Sequence, residues 1–152
     1  MRKSSAFRSG SRRATVRHLA QFRYELRKFL RFSEKSAREA GVTPQQHQLL
    51  LGVEGFTGRG WATISELAEF LQERHNAVVG LVDRARRRGL VNKRPVARDR
   101  RLVRVQLTPE GRKILDRLSE MHHRELGRLE GSAAGSGRPL LRKFSNSCSA
   151  TD

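Results

Sequence analysis

The sequence predicts a mainly helical fold with a small β-hairpin, and three neighbouring patterns between residues 62 and 107 support this prediction. Thr63 and Glu66 have the spacing of a helix capping box, and apolar residues follow them at helical intervals. A second helical stripe stops at Gly89, the residue type expected just past a helix end. Two extended runs, residues 90–94 and 101–107, then flank an arginine-rich loop. Helix, turn, helix and hairpin together form the outline of a winged helix-turn-helix.

The apolar positions of this segment fit two packed helices and one half-buried strand. On the hairpin, apolar and polar residues alternate with the period of two that a strand requires. The three apolar sets are Ile64, Leu67, Ala68 and Leu71; Val78, Leu81, Val82 and Ala85; and Val103, Val105 and Leu107.

The preceding part of the chain predicts two helices, a glycine-rich loop and a short strand. Residues 15–40 carry apolar side chains at steps of three and four, and Gly41 ends this pattern. Thr43, followed by Pro44 at the first helical position and Gln46 two residues later, predicts the next helix start. Leu49, Leu50, Val53 and Phe56 are its predicted buried face, Gly55, Gly58 and Gly60 mark the loop, and Trp61 and Ala62 form the strand beside the hairpin.

The chain is predicted to contain one domain with a tail at each end. Residues 1–14 are rich in Ser and Arg and indicate a flexible basic arm. Residues 15–130 form the domain, and its last helix begins at Thr108-Pro109 and ends near Glu130. Residues 131–152 are predicted to be a flexible tail, in which residues 139–144 could form one or two helical turns.

The composition points to a polyanionic partner. The 152 residues contain 32 Lys and Arg against 15 Asp and Glu, a formal charge of +17. Such an excess repels itself in a compact state, and nucleic acid is the simplest neutralising partner. A membrane partner is not expected, because the apolar runs fall far short of the ~20 residues that a spanning helix needs. The basic start lacks the apolar core of a secretory signal, and Cys148 is the only cysteine. Both features fit the cytoplasm.

Most of the cations of the hairpin segment crowd together, with Asp83 and Asp99 as almost the only acids among them. A solvated face of a small core is the alternative interpretation, but this crowding favours nucleic-acid binding. The crowded cations are Arg84, Arg86, Arg87, Arg88, Lys93, Arg94, Arg98, Arg100, Arg101 and Arg104.

From about Phe22 to Leu129 the sequence resembles the MarR family of bacterial transcriptional regulators. The resemblance rests on SELAEFL, GLVDRARRRGLV and RDRRLVRVQLTPEGRKIL. Its most specific element is the pattern Asp99-Arg100-Arg101 followed by a strand and an L-T-x-x-G junction. The resemblance implies a dimeric winged helix-turn-helix protein whose recognition helix, residues 74–88, faces base edges in a major groove while a wing arginine enters the minor groove.

The expected DNA contacts fall into three groups. Arginine suits guanine, asparagine suits adenine and an aliphatic side chain suits the thymine methyl group, although Arg74 and His75 could instead contact only phosphates. Arg74 also stands where the family often has Ser or Thr, so the helix is expected to lack a cap. The expected base contacts are Arg74, His75, Asn76, Val79 and Gly80; the backbone contacts are Thr63, Arg84, Arg86, Arg88 and Lys93; and the wing contacts are Arg98, Asp99, Arg100 and Arg101.

A homodimer is expected because the long first helix is too apolar on one side to stand alone. A purely intramolecular core is the alternative. The tail departs from the family, which usually closes its dimer with a substantial final helix. The expected dimer contacts are Leu19, Phe22, Leu26, Leu118, Leu126 and Leu129.

No catalytic site, metal site or cofactor is expected. The five histidines lack the convergent spacing of zinc ligands, and the chain has neither a glycine-rich phosphate loop nor a nucleophile elbow. The expected function is therefore sequence-specific binding of double-stranded DNA by a dimeric repressor in the bacterial nucleoid. The family resemblance adds a small-molecule effector of unknown identity. The alternative is a sequence-neutral nucleic-acid-binding protein whose affinity comes from its net charge.

Overall fold

The computed structural model describes the backbone of residues 4–96 and 99–134, and the side chains of residues 12–96 and 102–129. The described part is mainly helical with one small sheet, as the sequence predicted. The elements are α1 (Ser4–Glu39), α2 (Pro44–Leu51), a π-helical turn (Gly52–Phe56), β1 (Trp61–Thr63), α3 (Ile64–Leu71), α4 (His75–Arg87), β2 (Val91–Val96), β3 (Asp99–Leu107) and α5 (Pro109–Ala134).

Both predicted capping boxes are present. The Thr43 hydroxyl accepts a hydrogen bond from the backbone N–H of Gln46 at 3.1 Å, and Gln46 Oε1 accepts one from Thr43 N at 3.0 Å. At the start of α3, Thr63 and Glu66 make the same pair of bonds at 3.3 and 2.8 Å. Each box satisfies donors that a helix start otherwise leaves unpaired, so both helices begin at the predicted residues.

The second predicted helix changes geometry after Leu51. Gly52–Phe56 is a π-helical turn, which holds more residues per turn than an α-helix. The side chain of Phe56 is therefore not buried as predicted but 43% exposed, and its ring lies 5.3 Å from that of Phe70. Gly52 is needed beneath this aromatic pair, since a Cβ there would come within 2.6 Å of the Phe70 ring.

The three strands form an antiparallel sheet in the order β1-β3-β2. Trp61 pairs with Gln106 and Val91 with Leu107, which confirms the short first strand and the hairpin. The register shifts between Pro95 and Val96, so the hairpin is irregular near its tip. Pro95 cannot donate to a ladder, and a proline in a strand is tolerated at such an irregularity.

The chain divides into two compact units. The first comprises Met1–Ser33 and Arg124–Asp152, and the second comprises Glu34–His123. The second unit contains the winged helix-turn-helix elements around one apolar core. The core residues are Ala37, Val42, Leu49, Leu50, Val53, Ala62, Leu67, Val78, Leu81, Val82, Ala85, Leu90, Val91, Val105, Leu115 and Leu118.

Both terminal helices are longer than the sequence predicted. Residues 4–14, predicted as a flexible arm, are the start of α1, because the Ser- and Arg-rich composition does not stop the helical ladder. Helix α5 continues past Glu130 to Ala134, so the helix passes through Gly131. Leu118 and Leu129 are buried within one chain, and the dimer contacts expected for them stay predictions. The predictions for residues 139–144 and 145–152 lie outside the described residues.

Two histidine rings meet in the second unit. His47 of α2 is almost fully buried, and its ring centroid lies 4.8 Å from that of His122 on α5. His122 Nδ1 donates to the Leu118 carbonyl at 2.6 Å. His47 Nδ1 has no hydrogen-bond partner among the described residues. Burial, together with the charge of His122, lowers the pKa of His47 to about 4.

This buried histidine should make the protein acid-sensitive. The folded-state pKa of His47 is about 4, below the 6.5 of the unfolded chain, so stability is complete above pH 6.5 and falls as the pH drops toward 4. We expect the free energy of unfolding to fall by about 2 kcal/mol between pH 6.5 and 4.5 from this group alone. Denaturant titrations should show a weaker pH dependence for His47→Leu than for wild type. His75→Leu, at an exposed position, is the control, and an unchanged dependence in His47→Leu would contradict the assignment.

The junction between the sheet and α5 depends on a close backbone approach. Thr108 N donates to the Leu90 carbonyl at 3.1 Å, and Gly111 N donates to the Thr108 hydroxyl at 3.0 Å. A Cβ on Gly111 would overlap the Leu90 carbonyl oxygen. Because the obstacle is backbone, it cannot move aside as a flexible side chain could. Gly111 therefore sets how closely α5 follows β2.

We expect Gly111→Ala to destabilise the protein by about 1–3 kcal/mol, the range for forcing an extra carbon into a packed site. Gly127→Ala is the matched control, because it lies in the same helix and a Cβ there would meet nothing within 4 Å. Since alanine favours a helix over glycine, the control should gain about 0.5–1 kcal/mol. Chemical denaturation of both variants measures the difference, and equal stabilities would refute the proposed constraint at Gly111.

Candidate nucleic-acid interface

Helix α4 has one buried face and one exposed face. Val78, Leu81, Val82 and Ala85 are buried in the core of the second unit. These positions recur every three or four residues, so the remaining side chains must point away from the core. The helix is thereby held by its apolar stripe while its first turn and its cationic side chains lie in solvent.

The start of α4 lacks a side-chain cap. Arg74 is the N-cap residue, and no side chain in the described part of the chain accepts from the first amides of the helix. This confirms the expectation drawn from Arg74. Unpaired N–H groups and the positive end of the helix dipole make such a terminus suited to an anion.

The residues expected to contact bases occupy two environments. Arg74, His75 and Asn76 are exposed in the first turn of α4. Val79 and Gly80 are half-buried one turn later, where a Cβ on Gly80 would come within 3.3 Å of Arg84 Nη1. The three exposed side chains therefore form the outermost part of the helix start, and Val79 and Gly80 lie behind them.

A network around Glu66 braces the helix that precedes α4. Arg59 donates twice to the Glu66 carboxylate, both at 2.7 Å, and its guanidinium lies 3.9 Å from the centroid of the Trp61 ring. Burial works against ionisation of Glu66, but the Thr63 and Arg59 hydrogen bonds outweigh it and lower the pKa of the carboxyl. The sequence prediction missed Arg59 because glycines surround it in a segment interpreted only as a loop.

The five residues expected at phosphates divide by their contacts. Arg84 and Arg86 are exposed, as the prediction requires. Thr63 is half-buried and bonded to Glu66. The remaining two, Lys93 and Arg88, contact other parts of the protein.

Lys93 and Arg88 each join one element to another. Lys93 Nζ on β2 donates to Asp83 on α4 at 2.9 Å, and this hydrogen bond lowers the pKa of the Asp83 carboxyl. Arg88 donates to the Gly41 carbonyl at 2.6 Å and to Gln46 Oε1 at 3.3 Å. These contacts tie α4 to the hairpin on one side and to the turn between α1 and α2 on the other.

The wing is described only in part. The backbone of Asp99, Arg100 and Arg101 lies at the start of β3, and Val96 is paired with Asp99. Arg98 lies outside the described residues, so the wing contacts stay predictions. Arg104 follows in β3 opposite Arg94 of β2, which puts two cations side by side across the hairpin.

Other kinds of site find no support in the described ranges. Among the side chains of residues 12–96 and 102–129, no three His, Cys, Asp or Glu converge as metal ligands would. No helix in that part of the chain is both long enough and apolar enough to cross a membrane.

Residues 40–102, which run from just before α2 into the start of β3, match the sequence model of the MarR family. The match covers less than half of the chain. The resemblance seen in the sequence is confirmed, and the winged helix fold with it. No curated protein matches the chain at a significant level.

Solved structures of MarR-family proteins share the fold. A MarR family protein from Bacillus stearothermophilus has a TM-score of 0.69 and 23% identity, over 91% of this chain and 97% of that one. A mutant of E. coli MarR complexed with operator DNA has a TM-score of 0.62 and 21% identity, over 86% and 94%. A mutant of S. aureus MepR bound to an oligodeoxyribonucleotide has a TM-score of 0.62 and 18% identity, over 86% and 97%.

Proposed function

We propose that this protein is a dimeric, sequence-specific DNA-binding transcriptional regulator that acts as a repressor. Helix α4 would lie in the major groove with its exposed first turn at the base edges, and the wing would reach the minor groove. The observation that carries the proposal is the helix itself. Its apolar stripe is buried, its start is uncapped, and Arg74, His75 and Asn76 project from that start.

The surroundings of α4 fit phosphates on either side of such a groove. Arg84, Arg86 and Arg87 are exposed, and the chain carries a formal charge of +17. Contacts to phosphate supply affinity without sequence preference, whereas base contacts select the site. The DNA-bound MarR and MepR structures share this fold, which supports duplex DNA as the partner. Such a protein would act in the bacterial cytoplasm, at the nucleoid, without catalytic chemistry.

The exposed apolar face of α1 supports the homodimer. Leu19, Phe22 and Leu26 are 58%, 45% and 40% exposed, and Val16 and Leu30 extend the same face. Apolar side chains at this spacing are normally covered, and a two-fold interface would cover both copies with one patch. The family resemblance adds a small-molecule effector to the proposal.

Sedimentation at micromolar concentration should give twice the 17.3 kDa mass of the chain. Leu19→Glu combined with Leu26→Glu should shift the protein toward monomer, since two charges would then be buried in an apolar contact. Arg17→Glu is the control: it changes charge more than either single substitution but lies off the apolar face. A monomeric wild type, or a double variant that stays dimeric, would contradict this interface.

Base selection should depend on Asn76. Sites enriched from a random DNA pool would first supply a selected sequence, and wild type and Asn76→Ala would then be titrated on that site and on a scrambled duplex. Loss of a bidentate base contact should cost about 1–3 kcal/mol on the selected site and relax the preference at one base pair. Binding to the scrambled duplex should hardly change, because asparagine carries no charge.

The same titration separates the two candidate functions. A sequence-neutral binder would owe its affinity to the net charge, and the formal charge of +17 is the feature that favours it. For such a binder, the Asn76→Ala substitution would lower the affinity for both duplexes equally, or for neither. Arg74→Ala is a less suitable probe, since it removes a positive charge together with any base contact.

A further inference from the structure

We propose that Arg88 is a positioning residue that fixes the end of α4 to the turn between α1 and α2, and that it is not a phosphate contact. The proposal rests on the proposed function, because positioning is measured through DNA selection. It also revises the expectation from sequence, in which Arg88 belonged with Arg84 and Arg86.

The guanidinium of Arg88 is directed at two oxygens far away in the sequence. It donates to the Gly41 carbonyl at 2.6 Å and to Gln46 Oε1 at 3.3 Å. These acceptors precede it by 47 and 42 residues, and both lie in the same compact unit as α4. A planar fork that spans two acceptors fixes its own orientation, which one flexible ammonium group could not do.

Gln46 connects the Arg88 contact to the capping box at the start of α2. Its side chain is buried, and Oε1 already accepts from the Thr43 backbone in the capping box of α2. With Arg88 as the second donor, both lone pairs of that oxygen are used. The start of α2 and the end of α4 thus share one acceptor atom, so a shift of either helix strains a bond of the other.

The neighbouring arginines behave differently. Arg84, Arg86 and Arg87 make no side-chain hydrogen bond within the described residues and project from α4 into solvent. Arg88 is the C-cap residue, after which Gly89 turns with a φ of 70° and leads the chain into β2. Side chains before the cap follow the exposed face of the helix, whereas the side chain at the cap turns back toward α2.

The Arg88 contact fixes the half of α4 that would lie farthest from the bases. The Lys93 bond to Asp83 holds the same half of the helix against the hairpin. With this half fixed, the tilt of the helix is set, and a small tilt moves the first turn through the largest distance. Arg88 should therefore influence base selection without contacting DNA.

The experiment measures affinity for the selected site and for a scrambled duplex over a series of salt concentrations. Arg88→Ala, Arg88→Lys and the control Arg86→Ala are compared with wild type. For Arg88→Ala we expect about a tenfold loss on the selected site, the factor for one lost charge-assisted hydrogen bond. The scrambled duplex should lose far less. The slope of log affinity against log salt concentration should keep its wild-type value. Loss of a phosphate contact would instead reduce the magnitude of that slope by about 0.9.

Arg88→Lys tests the same point with the charge retained and keeps the proposal testable if Arg88→Ala does not fold. A lysine serves well at a phosphate but cannot reach both Gly41 and Gln46, so the positioning role predicts a loss on the selected site. Gln46→Leu should cause a similar loss, and its combination with Arg88→Ala should be no worse than either change alone.

Any one of three DNA-binding results would overturn the proposal: a salt dependence that is weaker by about 0.9 in slope for Arg88→Ala, wild-type selectivity in Arg88→Lys, or additive losses when the Gln46 and Arg88 changes are combined. A fall in melting temperature with unchanged selection would also overturn it, since that is what a purely structural contact gives. Failure of the proposed function has a different signature. Wild-type protein would then show no preference between the selected and scrambled duplexes, before any variant is compared.

Discussion

The burial of the apolar stripe of α4 is the constraint on which the candidate interface depends. Val78, Val82 and Ala85 are fully or almost fully enclosed, so the helix cannot rotate about its axis without exposing them. Each side chain of this size contributes about 1–3 kcal/mol when it leaves water, and rotation would forfeit several such contributions together. The outward direction of Asn76 is therefore a consequence of what lies on the opposite side of the helix.

Acidic residues are scarce in this protein, and their positions determine which cations form ion pairs in the second unit. The chain has 15 acidic against 32 basic residues, and three of the acids stand at joints between elements. Glu54 binds Arg112 of α5 at 2.6 and 3.1 Å, Glu66 binds Arg59, and Asp83 binds Lys93. Exposed ion pairs add little to stability. Their effect here is to determine which cations are paired within the protein and which stay exposed for other partners. Arg88 adds a fourth contact between elements, and its acceptors are neutral oxygens.

The features that could be predicted from the sequence are those formed by residues close together along the chain. Thr43, Thr63 and Gly89 specify helix ends through hydrogen bonds that span three to five residues, and these predictions are confirmed. The contact between Arg88 and Gly41 could not be predicted, because nothing near either residue records a partner 47 positions away. The π-helical turn was missed because its apolar spacing is close to that of an α-helix, and Phe56 was wrongly placed inside. The start of α1 was missed because composition, rather than hydrogen bonding, was the only available guide.

The turn between α3 and α4 has a consequence for engineering. Gln72 is the only non-glycine residue in the described ranges with a left-handed backbone, at a φ of 53°, and its side chain donates to the Glu69 carbonyl at 2.7 Å. A side chain in that conformation costs about 1 kcal/mol, which glycine would not incur. Gln72→Gly would thus exchange strain for conformational freedom in the short link that aligns the two helices. A variant stabilised in this way would lose stiffness in the link that keeps α3 and α4 in a fixed relation.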